Sequence, residues 1–373
     1  MSYLMGIDIG STNLKAGIYD YNGKMVALGK CSNEISYLDK KYPKYAFWQP
    51  DKIWNAVASA IKEAISKIDN PKKIMGVAVT GMGADGLPID KKGKWIYPFI
   101  SWHCSRSLQI TQAWEKNIGL KKVYFITGNP ILPYHSVYRL IWLKENKPEI
   151  LKKADKWLLI EDYINFMLCG NKVTDYSMAS STSLFDQNKL NWSDELLKIA
   201  GIEKRLLPEI LPSGTLLGKI NSQAATITGL CKGTPVILGG HDYHCAALAN
   251  GVVEQGIVLD IVGTWEVVLT SSNELILSTK TMNAGLLVES HVMKNLYSIT
   301  GVSPGASILE WFCKDYCFEE KLLANQDQNK ALDLLNSTFT IPMALARIFF
   351  SRFRGFLGRI KAAPDPDLAS LRR

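Results

Sequence analysis

The sequence predicts an α/β protein of about two domains, and three observations carry that prediction. Short apolar runs from Leu4 to Ile9, Ile74 to Thr80 and Pro235 to Leu238 each lead into glycine, as buried strands do when they deliver the chain to a ligand. Between the first two runs, Ile53, Trp54, Val57, Ile61, Ala64, Ile65 and Ile68 recur at helical spacing and give one apolar face. The 373 residues are enough for more than one sizeable core.

The first run carries Asp8 into Gly10-Ser11-Thr12, and a second strand, Leu14 to Tyr19, leaves that turn. Asn22-Gly23 then predicts a two-residue hairpin turn with positive φ. Gly10 lets the backbone approach a ligand, Ser11 and Thr12 offer hydroxyls and N–H groups, and Lys15 offers a cation. Asp8 suits Mg²⁺ held through water, because that ion prefers few carboxylates and keeps its waters. A hairpin with a polar tip would explain the same residues.

Next, Asp39 to Pro43 is turn-like and Tyr45 to Trp48 is an aromatic approach to a helix opened by Pro50 and Asp51. The strand from Ile74 ends in Gly81-Met82-Gly83-Ala84-Asp85-Gly86, placed to form a substrate wall. Trp102-His103-Cys104-Ser105-Arg106 leads into a helix to about Glu115, and Tyr134 to Asn146 begins as loop and becomes helix. Trp157 to Ile160 is a short strand running into a helix that stops at Gly170. Thr174 to Asp186 is rich in hydroxyls and reads as a loop crossing the surface. Ser193 and Gly201 cap and stop a further helix.

Pro235 to Leu238 leads through Gly239-Gly240-His241 to Asp242 and a helix from about Tyr243 to Asn250. A helix N-terminus favours negative charge, which suits Asp242 to accept a proton. A plain N-cap aspartate is the alternative. His241 and His244 lack further clustered ligands and read as local hydrogen bonding. Asp260-Ile261-Val262-Gly263-Thr264 then echoes Asp8-Ile9-Gly10-Ser11-Thr12. Two such hairpins facing each other across a cleft would clamp a polyphosphate. Ser298 to Gly305 is strand and turn, and Ala306 to Phe312 starts an apolar helix.

Composition narrows the class. With 47% apolar and 21% charged residues the chain reads as a soluble globular protein. Its N-terminal apolar run is short, lacks a basic flank and is broken by Asp8, so no signal peptide is expected. No window reaches the ~18 apolar residues of a membrane span. Seven cysteines, single apart from Cys313 and Cys317, show no paired metal spacing and read as reduced thiols of a cytoplasmic protein. The net charge of +8 comes from lysines spread without aromatic interleaving, which argues against nucleic acid as partner.

Together these residues resemble the FGGY family of carbohydrate kinases, over residues 3 to about 317. The resemblance implies an actin-like, ribonuclease H-like ATPase fold, with ATP and Mg²⁺ bound between two domains. Gly6 to Lys15 is similar to the first phosphate loop, which would place Gly10, Ser11, Thr12 and Lys15 on the nucleotide and Asp8 on the metal. Tyr134 to Asn146 is similar to a signature of aromatic, small hydroxyl residue, cation and Trp-Leu pair, with Arg139 where the pattern has lysine. Asp242 matches the catalytic aspartate and Gly263-Thr264 the second phosphate loop, where Trp265 replaces a common serine. Gly301 to Trp311, with Gly305, is similar to the segment lining the nucleotide.

A sugar or polyol is the implied substrate, with Trp102 and Tyr134 lining its pocket, Gly83, Ala84 and Asp85 adding a polar contact, and Asp242 reaching its hydroxyl. A homodimer is left open. The implied boundaries are a substrate domain over 1–240 and a partial nucleotide domain over 241–336. Residues 337–373 form a basic tail that breaks the composition: residues 1–346 hold three arginines, while the last 27 hold six and one lysine. That switch predicts a frameshifted or fused end, with a basic amphipathic anchor as the rival. Two functions therefore stand: an ATP-dependent carbohydrate kinase, or a truncated non-catalytic remnant that binds sugar at most.

Overall fold

The computed structural model describes residues 2–37, 45–262 and 265–304. Gly263, Thr264, Gly305 and the 337–373 tail therefore lie outside the described residues. Met1–Ile261 and Val267–Val302 make up one compact unit, and Val262–Glu266 with Ser303–Arg373 make up another.

Six strands form the central sheet, in the order Leu216–Lys219, Pro235–His241, Ile74–Gly81, Tyr3–Ile9, Asn13–Asp20, Met25–Ser32. The middle three run parallel, and the rest are antiparallel to their neighbours. Asp8 stands beside Thr80, and Gly81 beside His241, so three strands end together at one edge. Alternation explains the seating of the first strand: Met5, Ile7 and Ile9 are buried while Leu4 and Gly6 are exposed.

The buried face packs on the helix Pro50–Ile65, through Ile53, Trp54, Val57, Ile61 and Ala64. Gly29 sets the spacing there, since a Cβ on it would lie 1.9 Å from the Ala60 carbonyl oxygen. Gly29→Ala is expected to push the helix off the sheet and cost about 1–3 kcal/mol, read as a lower denaturation midpoint with unchanged slope. The helix Ile160–Cys169 joins the same core through Ile160, Ile164 and Leu168.

A second core gathers Val137, Tyr138, Leu140 and Ile141 of the helix Ser136–Asn146 with Val123, Trp157, Leu184, Phe185, Leu196 and Leu197. Between the cores runs a five-stranded antiparallel sheet, in the order Ser36–Tyr37, Ala46–Trp48, Phe99–Ile100, Gly86–Ile89, Lys156–Leu159. Most of its strands are too short for period-2 patterning to reveal. Beyond Asp242, Val258–Val262 and Trp265–Ser272 are strands, and Leu287–Ser290 pairs antiparallel with Tyr297 to Thr300. Among the described residues no helix is long and apolar enough to cross a membrane.

Two expectations are corrected. The first hairpin closes with a three-residue loop, with the Asp20 amide bonded to the Lys24 carbonyl at 3.0 Å and only Gly23 at positive φ, 78°. This is a turn followed by a left-handed glycine and a bulge, which absorbs the extra residue. The second correction concerns Thr174 to Asp186, which is buried almost throughout and holds the helix Tyr176–Ser180. Several of its hydroxyls bond nearby carbonyls: Ser180 Oγ donates to the Tyr176 carbonyl at 2.7 Å, and Thr182 Oγ1 to that of Ala179 at 2.6 Å.

Candidate active site

Asp8, Gly83 and Asp242 come together where the three parallel strands end. Asp8 sits one residue before the end of the first strand, and directly across the hairpin Lys15 Nζ lies 3.3 Å from its Oδ2. Burial raises the Asp8 pKa, Lys15 opposes that shift, and the charge of nearby Asp242 adds to it. Gly10 makes the turn: its amide bonds the Asn13 carbonyl at 3.1 Å, and a Cβ there would sit 2.9 Å from that oxygen. Asn33 pins the loop, donating from Nδ2 to the Gly10 carbonyl at 3.0 Å and from its amide to that of Thr12 at 2.9 Å. Ser11 is partly buried, while Thr12 and Lys15 are exposed. The donors and the carboxylate have the chemistry to take a phosphate and a water-ligated Mg²⁺, and Asp8 is the side chain that would hold that ion.

Asp242 is the first residue of the helix Asp242–Ala249, and its N-cap is His241, so it is not a plain capping aspartate. Its Oδ1 lies 2.7 Å from His241 Nδ1 and accepts from the Tyr243 amide at 2.7 Å. No described residue has a recorded bond to Oδ2, and the side chain is 40% exposed. The arrangement leaves one oxygen fastened and the other able to take a proton.

The strand Ile74–Gly81 delivers Gly83, Ala84 and Asp85. A Cβ on Gly83 would lie 2.1 Å from His241 Nε2, so this glycine is the slot for that ring. Ala84 is held at φ 65°, its amide bonded to Ser181 Oγ at 2.8 Å and its carbonyl to Ser136 Oγ at 2.7 Å. Asp85 departs from the expectation of a polar substrate contact. It is fully buried and bonded to Arg139 Nη1 at 2.9 Å and Trp48 Nε1 at 2.7 Å. Burial pushes its carboxyl up to about 6, with Arg139 and hydrogen bonds from Trp48 and Trp102 holding it from rising further. Asp85 supports the loop, with its two oxygens engaged by Arg139 and Trp48.

Arg139 bonds through Nη1, to Asp85 and to the Ala84 carbonyl at 2.8 Å, while Nε and Nη2 have no hydrogen-bond partner among the described residues. It serves as a point charge, which explains how an arginine stands where the resembling pattern has lysine. Trp102 is half-buried and stacks on His103 with ring centroids 3.6 Å apart. Tyr134, also half-buried, has its phenol pKa pushed up by burial and by the charge of Glu289. Glu289 also accepts from the hydroxyl of Tyr243, on the helix that begins at Asp242. Two surface hollows lie elsewhere, one lined by residues such as Lys156 and Trp192 and the other by residues such as Met25 and Lys67.

Sequence reasoning missed the floor of the site. Glu161, Asp162 and Asp175 are fully buried, Glu161 against the backbone of Gly239 and Asp175 beside Gly240. Ser177 Oγ donates to Asp175 and accepts from the His241 amide at 2.9 Å, fastening the strand end that presents Asp242. The signal was the Asp-x-Ser order of 175–177, an N-cap in a stretch read as surface loop. Burial pushes the Asp162 carboxyl up to about 8, so the folded chain keeps a proton that the unfolded chain releases near 3.8. Its contribution to stability is therefore complete below 3.8 and fades as pH rises toward about 8. Asp162→Asn is expected to flatten the stability profile between those limits, by up to about 1.4 kcal/mol per pH unit in thermal melts.

Comparison with known proteins accounts for this arrangement. Residues 3–249 match the FGGY family of carbohydrate kinases, N-terminal domain. L-fuculokinase of Escherichia coli K12 is 32% identical over 311 residues, 83% of this chain and 65% of that protein. Xylulose kinase of Staphylococcus xylosus is 30% identical over 333 residues, 88% of this chain and 65% of that protein. Among solved structures, ligand-bound xylulose kinase from Lactobacillus acidophilus superposes with a TM-score of 0.78 at 26% identity, covering 84% of this chain and 63% of that one. The chain thus spans about 65% of the length of these curated relatives. Its α/β architecture is the actin-like ATPase fold those sugar kinases share. The chain belongs to the FGGY family of carbohydrate kinases.

Proposed function

We propose that this chain takes part in ATP-dependent phosphorylation of a hydroxyl group on a sugar or polyol, with Asp242 as general base. The observation that carries the proposal is Oδ2 of Asp242, to which no described residue bonds, on a carboxylate fastened through Oδ1 at the shared end of the parallel strands that also bear Asp8. Trp102 and Tyr134 offer aromatic faces suited to the C–H groups of a sugar. Asp242 Oδ2 takes the proton of the acceptor hydroxyl as its oxygen attacks the γ-phosphorus in line, and the P–O bond to the leaving ADP breaks. Mg²⁺, when bound, supplies charge neutralisation on the transferring group.

Gly10, Ser11, Thr12 and Lys15 would cradle phosphate oxygens, and Asp8 would hold the ion through water. Gly263, Thr264 and Gly305 are further candidates for the nucleotide, by their place in the resembling pattern. The sugars named in the relatives, L-fuculose and xylulose, lead the list of acceptors to try. Titration calorimetry with these sugars and with Mg-ATP tests the reading. Saturable heat for both ligands is expected. Sugar binding without nucleotide binding would instead mark a non-catalytic remnant.

A further inference from the structure

The mechanism above leaves unexplained why a histidine stands between the double glycine and the base. Its ring is held on several sides. Nδ1 lies 2.7 Å from Asp242 Oδ1, the backbone amide is bonded to Ser177 Oγ at 2.9 Å, and the ring lies against Tyr243 with centroids 4.1 Å apart. Nε2 fills the space that a side chain at position 83 would occupy. The residue is 8% exposed, which is unusual for a titratable group beside a solvent-facing carboxylate. We propose that His241 is the positioning residue of the base: its Nδ1–H holds Oδ1 of Asp242 so that Oδ2 faces the acceptor hydroxyl. This rests on the reading of Asp242 as base.

The chemistry of the contact fixes its direction. A carboxylate oxygen only accepts, so Nδ1 is the donor and the neutral ring carries its proton there. The Tyr243 amide donates to the same Oδ1, so both fastenings fall on one oxygen and the carboxylate cannot rotate without losing both. Charges from three elements face the ring: Asp242 at the start of its own helix, Glu289 on the strand Leu287–Ser290, and Asp175 at the cap of the helix Tyr176–Ser180. His244, one turn on, faces it with ring centroids 5.9 Å apart. Burial works against a charged imidazole, and the three carboxylates outweigh it and raise the pKa. As pH falls through that raised value the ring takes a second proton, tightens on Asp242 and makes Oδ2 a weaker base. An acid limb in kcat then reports His241.

Two variants and one spectroscopic experiment test the assignment. His241→Phe keeps the ring volume beside Gly83 and removes the donor. Its kcat is expected to fall about tenfold or more, a part of the roughly 10²–10⁴-fold that a positioned base supplies, with the sugar KM within about twofold. His241→Asn restores an N–H near the place of Nδ1, so it should recover most of that loss and shift the acid limb to lower pH. Wild-type kcat in His241→Phe, or no recovery in His241→Asn, overturns the proposal.

Long-range ¹H–¹⁵N spectra of the five histidine rings give a readout that needs no turnover. With His241→Asn used to assign the signal, the neutral wild-type ring is expected to be protonated at Nδ1, and its titration midpoint to drop in Asp242→Asn. An unchanged midpoint in Asp242→Asn overturns the pairing. If the wild-type chain transfers no phosphate, the kinase reading fails, while these spectra still decide the pair.

Discussion

Asp242→Asn is expected to lower kcat for phosphoryl transfer by roughly 10²–10⁴-fold while sugar affinity stays within about twofold. The amide keeps the shape of the side chain and can still accept at Oδ1 from the Tyr243 amide, so the start of the helix is preserved. It cannot take the acceptor proton, because the group standing in for Oδ2 is now a donor. Calorimetry with the sugar and a coupled assay of ADP release separate the two quantities. Full transfer activity in this variant would remove Asp242 from the role of base.

Arg139→Met is the second large effect, and it falls on stability. Arg139 and Asp85 are both fully buried, and removing the cation leaves a carboxyl in apolar surroundings with Trp48 as its remaining side-chain donor. Breaking such a pair costs about 3–5 kcal/mol, to be read from urea or thermal unfolding. Arg139→Lys should lose far less, because both recorded bonds of the guanidinium leave from Nη1 and a single ammonium can replace it. Equal losses in the two variants would show that the planar fork matters in a way these contacts do not express. Asp85→Asn is expected to be milder than Arg139→Met, since the amide oxygen can still accept from Arg139 or Trp48.

How legible this was in the sequence depended on length and on partners. The strands that end at Ile9, Gly81 and His241 were readable because each is an apolar run several residues long followed by a turn, and burial of such runs needs no information from elsewhere. The five-stranded sheet was not, because two-residue strands such as Phe99–Ile100 carry no period. Thr174 to Asp186 misled because hydroxyl side chains look solvated in sequence. In the fold, Ser181 Oγ and Thr182 Oγ1 bond carbonyls three residues back, which lets the stretch go inside.

The site divides in the same way. Asp8, Gly10 and Asp242 were legible as acids and glycine at strand ends, where the α/β rule places ligands. Asp85 was misplaced because sequence cannot show that its oxygens are already engaged by Arg139 and Trp48. His241 was legible as a local hydrogen bond, which its 2.7 Å contact with Asp242 is, but not as the ring that fills the space left by Gly83, far away in sequence. Asp175, Ser177 and Glu289 are a buried polar network joined through tertiary contacts, with no local pattern to announce it.

The central claim is that Asp242, at the shared end of the parallel strands, serves phosphoryl transfer from ATP to a sugar hydroxyl. ³¹P NMR of the wild-type chain with Mg-ATP and either L-fuculose or xylulose tests this most directly. The account predicts growth of a sugar monophosphate resonance in step with ADP, with at least one acceptor, and its absence in Asp242→Asn. A chain that binds both ligands yet forms no sugar phosphate, or an Asp242→Asn variant that forms it at the wild-type rate, would contradict the account.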